Sequence, residues 1–161
     1  MRKNLNLKLS ISEIIFDVQN KTYLTGKSLN NGENHTHVAN MQANDDDENA
    51  AQVLRSVTMA YSVLRNRLSE YLDGGANSST NESLTADSDI NLTLSMPSNF
   101  NNSVAETIGE AAHQFIVATA IADWFTITAK GETGDYSAVA EAGLKVLEET
   151  LSKRVRPVRN T

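Results

Sequence analysis

The first residues of the chain alternate. Leu5, Leu7, Leu9 and Ile11 fall on one side and Asn4, Asn6, Lys8 and Ser10 on the other, the period of a half-buried strand. The strand leads straight into a helix. Ser10 and Glu13 have the spacing of a capping box, and Leu9 and Ile14 that of a hydrophobic staple. This helix buries Ile11, Ile14, Ile15 and Val18 and is expected to end near Gly26. Residues 27–44 are polar, with Asn30-Asn31-Gly32 as a turn, and read as a loop.

A second helix opens on the acidic block Asp45-Asp46-Asp47-Glu48, whose carboxylates complement the amide dipoles of a first turn. Leu54, Val57, Tyr61, Leu64, Leu68 and Tyr71 then recur at spacings of three and four, a single apolar stripe that Gly74-Gly75 is expected to stop. Residues 76–89, rich in Ser, Asn, Thr and Asp, read as a mobile surface loop. Alternation returns with Ile90, Leu92, Leu94 and Met96 against Asn91, Thr93 and Ser95, until Pro97 ends it. The two strands match in length and pattern and are expected to pair.

A third helix is expected to start at Ser98, or at Ser103 with Glu106 in capping-box register. From Val104 to Ile127 its apolar residues occupy more than one face, which marks it as the buried centre of the fold. Gly131 and Gly134 break the chain, and Asp135 is expected to cap a fourth helix running toward Pro157. The pattern therefore predicts a mainly α protein: a bundle of about four helices with a small two-stranded β ribbon, residues 4–11 and 90–96. Residues 1–152 form the single domain and residues 153–161 a basic C-terminal arm.

Composition narrows the function. The 161 residues include 40% hydrophobic and 21% charged side chains, the balance of an ordinary globular chain. No apolar run approaches the ~20 residues of a membrane span, and Met1-Arg2-Lys3-Asn4-Leu5-Asn6 has no signal-peptide core. The absence of cysteine excludes a disulfide framework and a thiolate zinc site. A net charge of −6 argues against general nucleic-acid binding. Yet Lys153, Arg154, Arg156 and Arg159 crowd the last nine residues with no acid among them, so one end suits an acidic partner.

Candidate chemistry is sparse. His35-x-His37 has the spacing to reach one metal ion from an extended loop, but no third ligand is fixed nearby and solvated loop histidines are the preferred reading. Asp45–Glu48 lacks the alternation and the distal Glu of a calcium loop, and a helix start explains it. His113 beside Glu110 could shuttle protons, although a histidine on a largely buried helix is more often a core or interface residue. Trp124-Phe125 could stack a base, but in so apolar a stretch they read as core, where Trp124→Ala costs ~3–5 kcal/mol. No nucleophile elbow, phosphate loop or H-E-x-x-H occurs, so the expectation is a non-enzyme without cofactor or metal.

Assembly is the better use of these features. A two-stranded ribbon is marginal alone and presents unpaired edges, and Lys8 is the only charge within either strand. Neighbouring copies or a partner's extended segment are expected to complete the sheet at Leu5, Leu7, Leu92 and Leu94. The basic arm at Lys153, Arg154, Arg156 and Arg159 weighs evenly between a frayed helix end and a docking element. An acidic helix start and a basic arm on one chain suit a head-to-tail contact that closes into a ring.

Thr119-Ala120-Ile121-Ala122-Asp123-Trp124-Phe125, the Gly-broken gap, Asp135-Tyr136, a last helix and Lys153-Arg154-Val155-Arg156-Pro157 resemble small virion proteins encoded beside head and tail genes in tailed phages and prophages of gut bacteria, crAss-like ones included. Residues 38–48 add to the likeness. The architecture is similar to the helical head–tail connector, or neck and adaptor, proteins that form a ring beneath the portal. The resemblance covers most of the chain, and none of its motifs carries chemistry. It implies a virion location, a homo-oligomeric ring of about twelve copies, contact with the portal and with tail or further neck proteins, and passage of DNA without sequence-specific binding. Arg154, Arg156 and Arg159 would then dock on the portal, and the negative net charge suits a channel through which DNA slides. Other readings are a tail-completion or tail-terminator protein, or a small cytosolic regulatory or binding module of a bacterium.

Overall fold

A computed structural model describes residues 2–74 and 84–158. The period-two segments become β1 (Lys3–Ser10) and β2 (Asp89–Met96), paired antiparallel with Leu5 opposite Leu94 and Leu7 opposite Leu92. The helices are α1 (Ile11–Leu29), α2 (His35–Met41), α3 (Asp47–Arg67), α4 (Ala105–Thr128) and α5 (Thr133–Leu151). Among the described residues this is a mainly helical bundle with one small ribbon, as the hydrophobic pattern predicts.

The strand-to-helix junction forms as expected, with the Ser10 hydroxyl accepting from the Glu13 N–H at 3.4 Å. α1, however, runs three residues past Gly26. That glycine is buried, and a Cβ on it would lie 3.1 Å from the Val38 carbonyl. Its role is close approach of α2, and α1 ends at Leu29 instead. The expected loop at 27–44 contains α2, a short helix without a long amphipathic stripe, which is why periodicity overlooks it. Tertiary bonds hold it: the Trp124 indole N–H donates to the Met41 carbonyl at 2.7 Å, and the Ala43 N–H donates to the buried Thr22 hydroxyl at 3.0 Å.

α3 buries Val53, Ser56, Val57, Ala60 and Leu64, while Leu54 and Tyr61 of the predicted stripe lie at its margin. It stops at Arg67, well before Gly74, because the next residues are needed elsewhere: the Tyr71 carbonyl accepts from the Ser95 N–H at 2.6 Å and the Asp73 N–H donates to the Thr93 carbonyl at 3.0 Å. Most of the predicted loop at 76–89 lies outside the described residues.

α4 is the centre, as its all-round apolar pattern predicts; Ile108, Ala112, Ile116, Ile121 and Phe125 are buried among the residues of the other elements. It begins after a short 3-10 turn at Asn102–Val104, whose cap is Asn101, accepting from the Ser103 N–H at 3.1 Å; neither Ser98 nor Ser103 is its start. α5 packs along α4. Asp135 sits in the first turn of α5 and does not cap it, and the helix ends at Leu151, six residues short of Pro157.

Candidate functional site

The two edges of the ribbon differ. On an antiparallel strand the N–H and C=O of one residue point to the same side. The Thr93 carbonyl and Ser95 N–H turn outward to residues 71–73, making the Leu72–Leu94 bridge. Leu92, Leu94 and Met96 therefore face β1, whose inward groups belong to Lys3, Leu5 and Leu7. The outward groups of β1 then belong to Asn4, Asn6, Lys8 and Ser10. Among the described residues, no backbone hydrogen bond from outside the ribbon reaches Asn4, Asn6 or Lys8. The chain itself covers the β2 edge at Thr93 and Ser95; among the described residues the β1 edge has no such cover.

The leucines expected at the docking surface lie on the inner face of the ribbon. The side chains of Leu7 (3% exposed), Leu92 (3%) and Leu94 (0%) point into the core, and Leu5 is half-buried against it. They hold the ribbon to the bundle. What remains available is the backbone of β1 with the outward side chains Asn4, Asn6 and Lys8, all exposed.

Beside the open edge runs a groove against the first turns of α4. Its two sections, ≈ 310 and ≈ 540 Å³, share Lys8, Glu106 and Gly109 as walls, and the larger adds Glu13, Glu110 and His113. Glu106, Gly109 and Glu110 share one helix face by their spacing of three and four. The carboxylates of Glu13, Glu106 and Glu110 are exposed, and no ion pair among the described residues includes them. None of these was singled out in the sequence as a contact surface. The available signal was the acid–glycine–acid face of α4; Glu13 joins it only through the fold.

At the deep end, His113 Nε2 lies 2.6 Å from Asp17 Oδ2, both half-buried. The histidine partner is thus Asp17 on α1, and the expected pairing with Glu110 does not occur: Glu110 is one turn back on the same helix, while α1 brings Asp17 directly opposite. Asp123, exposed on α4, has a pKa raised above the usual Asp range by partial burial, which a hydrogen bond with Ser56 opposes.

The C-terminal arm is pinned at its start. The Asn101 N–H donates to the Lys153 carbonyl at 3.3 Å, and the Val155 N–H donates to the Asn99 carbonyl at 2.7 Å. Arg154 turns back on α5, its Nη1 donating to the Leu151 carbonyl at 2.8 Å and to the Lys153 carbonyl at 3.0 Å, where a cation meets the negative end of the helix dipole. Of the described residues of the arm, those without such backbone bonds are Arg156, Pro157 and Val158. Arg156, Pro157 and Val158 are exposed and without regular structure; Arg159 lies outside the described residues.

Of the other candidates, His35 and His37 sit on α2, where a spacing of two turns exposed side chains to opposite sides and removes the shared reach of an extended loop. Among the described residues, no three His, Asp or Glu side chains gather into a metal-holding group. Asp47 and Glu48 occupy the first turn of α3, and Asp45 accepts from Gln19 Nε2 at 2.6 Å. Trp124 and Phe125 are buried, the Phe125 ring tilted against Tyr136 with centroids 5.5 Å apart. Among the described residues no helix is long and apolar enough to cross a membrane. Comparisons of the chain with protein-family models, curated proteins and solved structures gave no match.

Proposed function

We propose that the chain is a structural subunit of a tailed-phage particle, a head–tail connector that assembles into a ring between portal and tail and lines the channel for DNA. The observation that carries this reading is the open β1 edge: three exposed residues, Asn4, Asn6 and Lys8, offer backbone groups that no backbone hydrogen bond from outside the ribbon reaches among the described residues, while the opposite edge is covered at Thr93 and Ser95 by residues 71–73. An edge left uncovered on one side only is a template for another chain. Three further features support the reading. The body is a helix bundle with a short β element, a basic segment leaves it after Val155, and the net charge of −6 repels the phosphates of passing DNA.

In this function the bundle supplies a rigid wedge. The ribbon edge supplies directional hydrogen bonds to a neighbour, and Arg156 with the residues after it supplies charge-assisted contact to an acidic surface. Co-expression with the portal protein of the same particle is the direct test. The expected outcome is a complex that survives purification and weakens when the chain is truncated after Val155, which keeps the pinned residues Lys153–Val155 in place. Absence of any complex with the portal would overturn the connector role.

A further inference from the structure

Two elements of the chain complement one another without touching. One is the groove beside the β1 edge, with its outward backbone groups and the carboxylates of Glu13, Glu106 and Glu110, which no ion pair among the described residues includes. The other is the segment Arg156-Pro157-Val158, which is basic, extended and exposed, Val158 to 86%. Resting on the assembly reading above, we infer that the C-terminal segment of one copy docks as an added strand on the β1 edge of a second copy, its arginine facing the acidic wall of α4.

The chemistry fits in three respects. First, strand addition needs a free donor and acceptor on alternate residues, and Asn4, Asn6 and Lys8 present them. Proline lacks an N–H, but period two rescues the segment: with Arg156 and Val158 turned to β1, Pro157 falls on the side away from β1, where no ladder bond is lost.

Second, the charges match. Glu106 and Glu110 are neighbours on one helix face and Glu13 stands across the groove. An arginine entering there meets carboxylates that have no ion pair within the described chain.

Third, Gly109 lies between the two glutamates on the wall common to both sections of the groove. A glycine inside a helix is unfavourable relative to alanine, and packing within the chain does not demand it here: an added Cβ would meet only Leu7 Cδ1, at an ordinary 4.0 Å. Its absence leaves the helix backbone open to an approaching strand. Because donor and acceptor lie on different surfaces, the contact is head-to-tail, and repetition closes a ring or extends a filament.

The chain has no cysteine, so single introduced thiols report proximity cleanly. Full-length Gly109→Cys and Val158→Cys are mixed and oxidised gently, with Met59→Cys, 67% exposed on α3, replacing Gly109→Cys as control. The inference expects a mixed disulfide dimer at about ten times the control yield, since docking raises the local thiol concentration. Glu106→Lys with Glu110→Lys should bring that yield down to control, and adding Arg156→Glu to the Val158→Cys partner should restore part of it. Gly109→Gln, which fills the groove while favouring the helix, should abolish self-association without lowering the melting temperature.

A yield equal to control overturns the inference. So does a Gly109→Cys/Val158→Cys double variant that closes on itself at every dilution, since the occupant is then the chain's own tail. Portal binding that persists without the tail–groove link would remove this inference and leave the proposed function standing; the link without portal binding would do the reverse.

Discussion

The two edges of one small ribbon are treated in opposite ways. β2 is covered at Thr93 and Ser95 by residues 71–73, which follow the end of α3 at Arg67, through two hydrogen bonds. Among the described residues β1 has no such cover, and its flank carries three carboxylates outside any ion pair in place of an apolar lid. Protection of one edge shows that the fold has the means to defend a strand. Under the proposed function, the unprotected edge is the surface through which the chain meets others.

The largest test removes what both edges share. Leu94 is fully buried, opposes Leu5 on one side and Leu72 on the other. Leu94→Ala should cost about 2–5 kcal/mol, read from the urea midpoint, and should loosen both edges together.

A sharper test sets one edge against the other. Asp73→Pro deletes the N–H that donates to Thr93, whereas Asn6→Pro deletes an N–H that, among the described residues, has no backbone partner outside the ribbon. The first should destabilise the isolated chain by at least about 1 kcal/mol more than the second. The reverse order would mean that β1 is the edge on which the monomer depends.

The smallest effect calibrates the others on a site remote from the ribbon. Partial burial raises the pKa of Asp123, so the folded state holds that proton to higher pH than the unfolded state does. Stability is therefore lost as pH rises through the folded pKa, and the penalty is fully present at neutral pH. Asp123→Asn should raise stability at pH 7 by no more than ~0.5 kcal/mol. The gain should fade in thermal melts as pH drops below the ordinary Asp range of about 3.5–4.

Regular periodicity was legible and its interruptions were not. Leu5-Leu7-Leu9 and Ile90-Leu92-Leu94-Met96 define both strands to within a residue because half-buried ribbons impose period two, and the all-round apolar run of α4 marks the centre for a similar reason. Glycine was legible as position but not as role: α1 ends three residues past Gly26, which is buried against Val38 in the last turn, a role set by a segment more than ten residues away. α2 carries too few turns for a stripe and is held by Trp124 and Thr22, which the local sequence does not announce. The docking residues shifted in the same way. Alternation identifies Leu7, Leu92 and Leu94 as one face, but that face points to the core, and only the fold reveals that the edge of β1 and the acids of α4 and α1 converge.

Residue-resolved hydrogen exchange puts the open edge to the most direct trial. In dilute protein the amides of Asn4, Asn6 and Lys8 should exchange quickly while those of Leu5, Leu7 and Asp73 exchange slowly; in concentrated or portal-bound protein the first three should become slow as well. Slow exchange of Asn4, Asn6 and Lys8 already in the dilute monomer, or fast exchange that assembly leaves unchanged, would contradict the account.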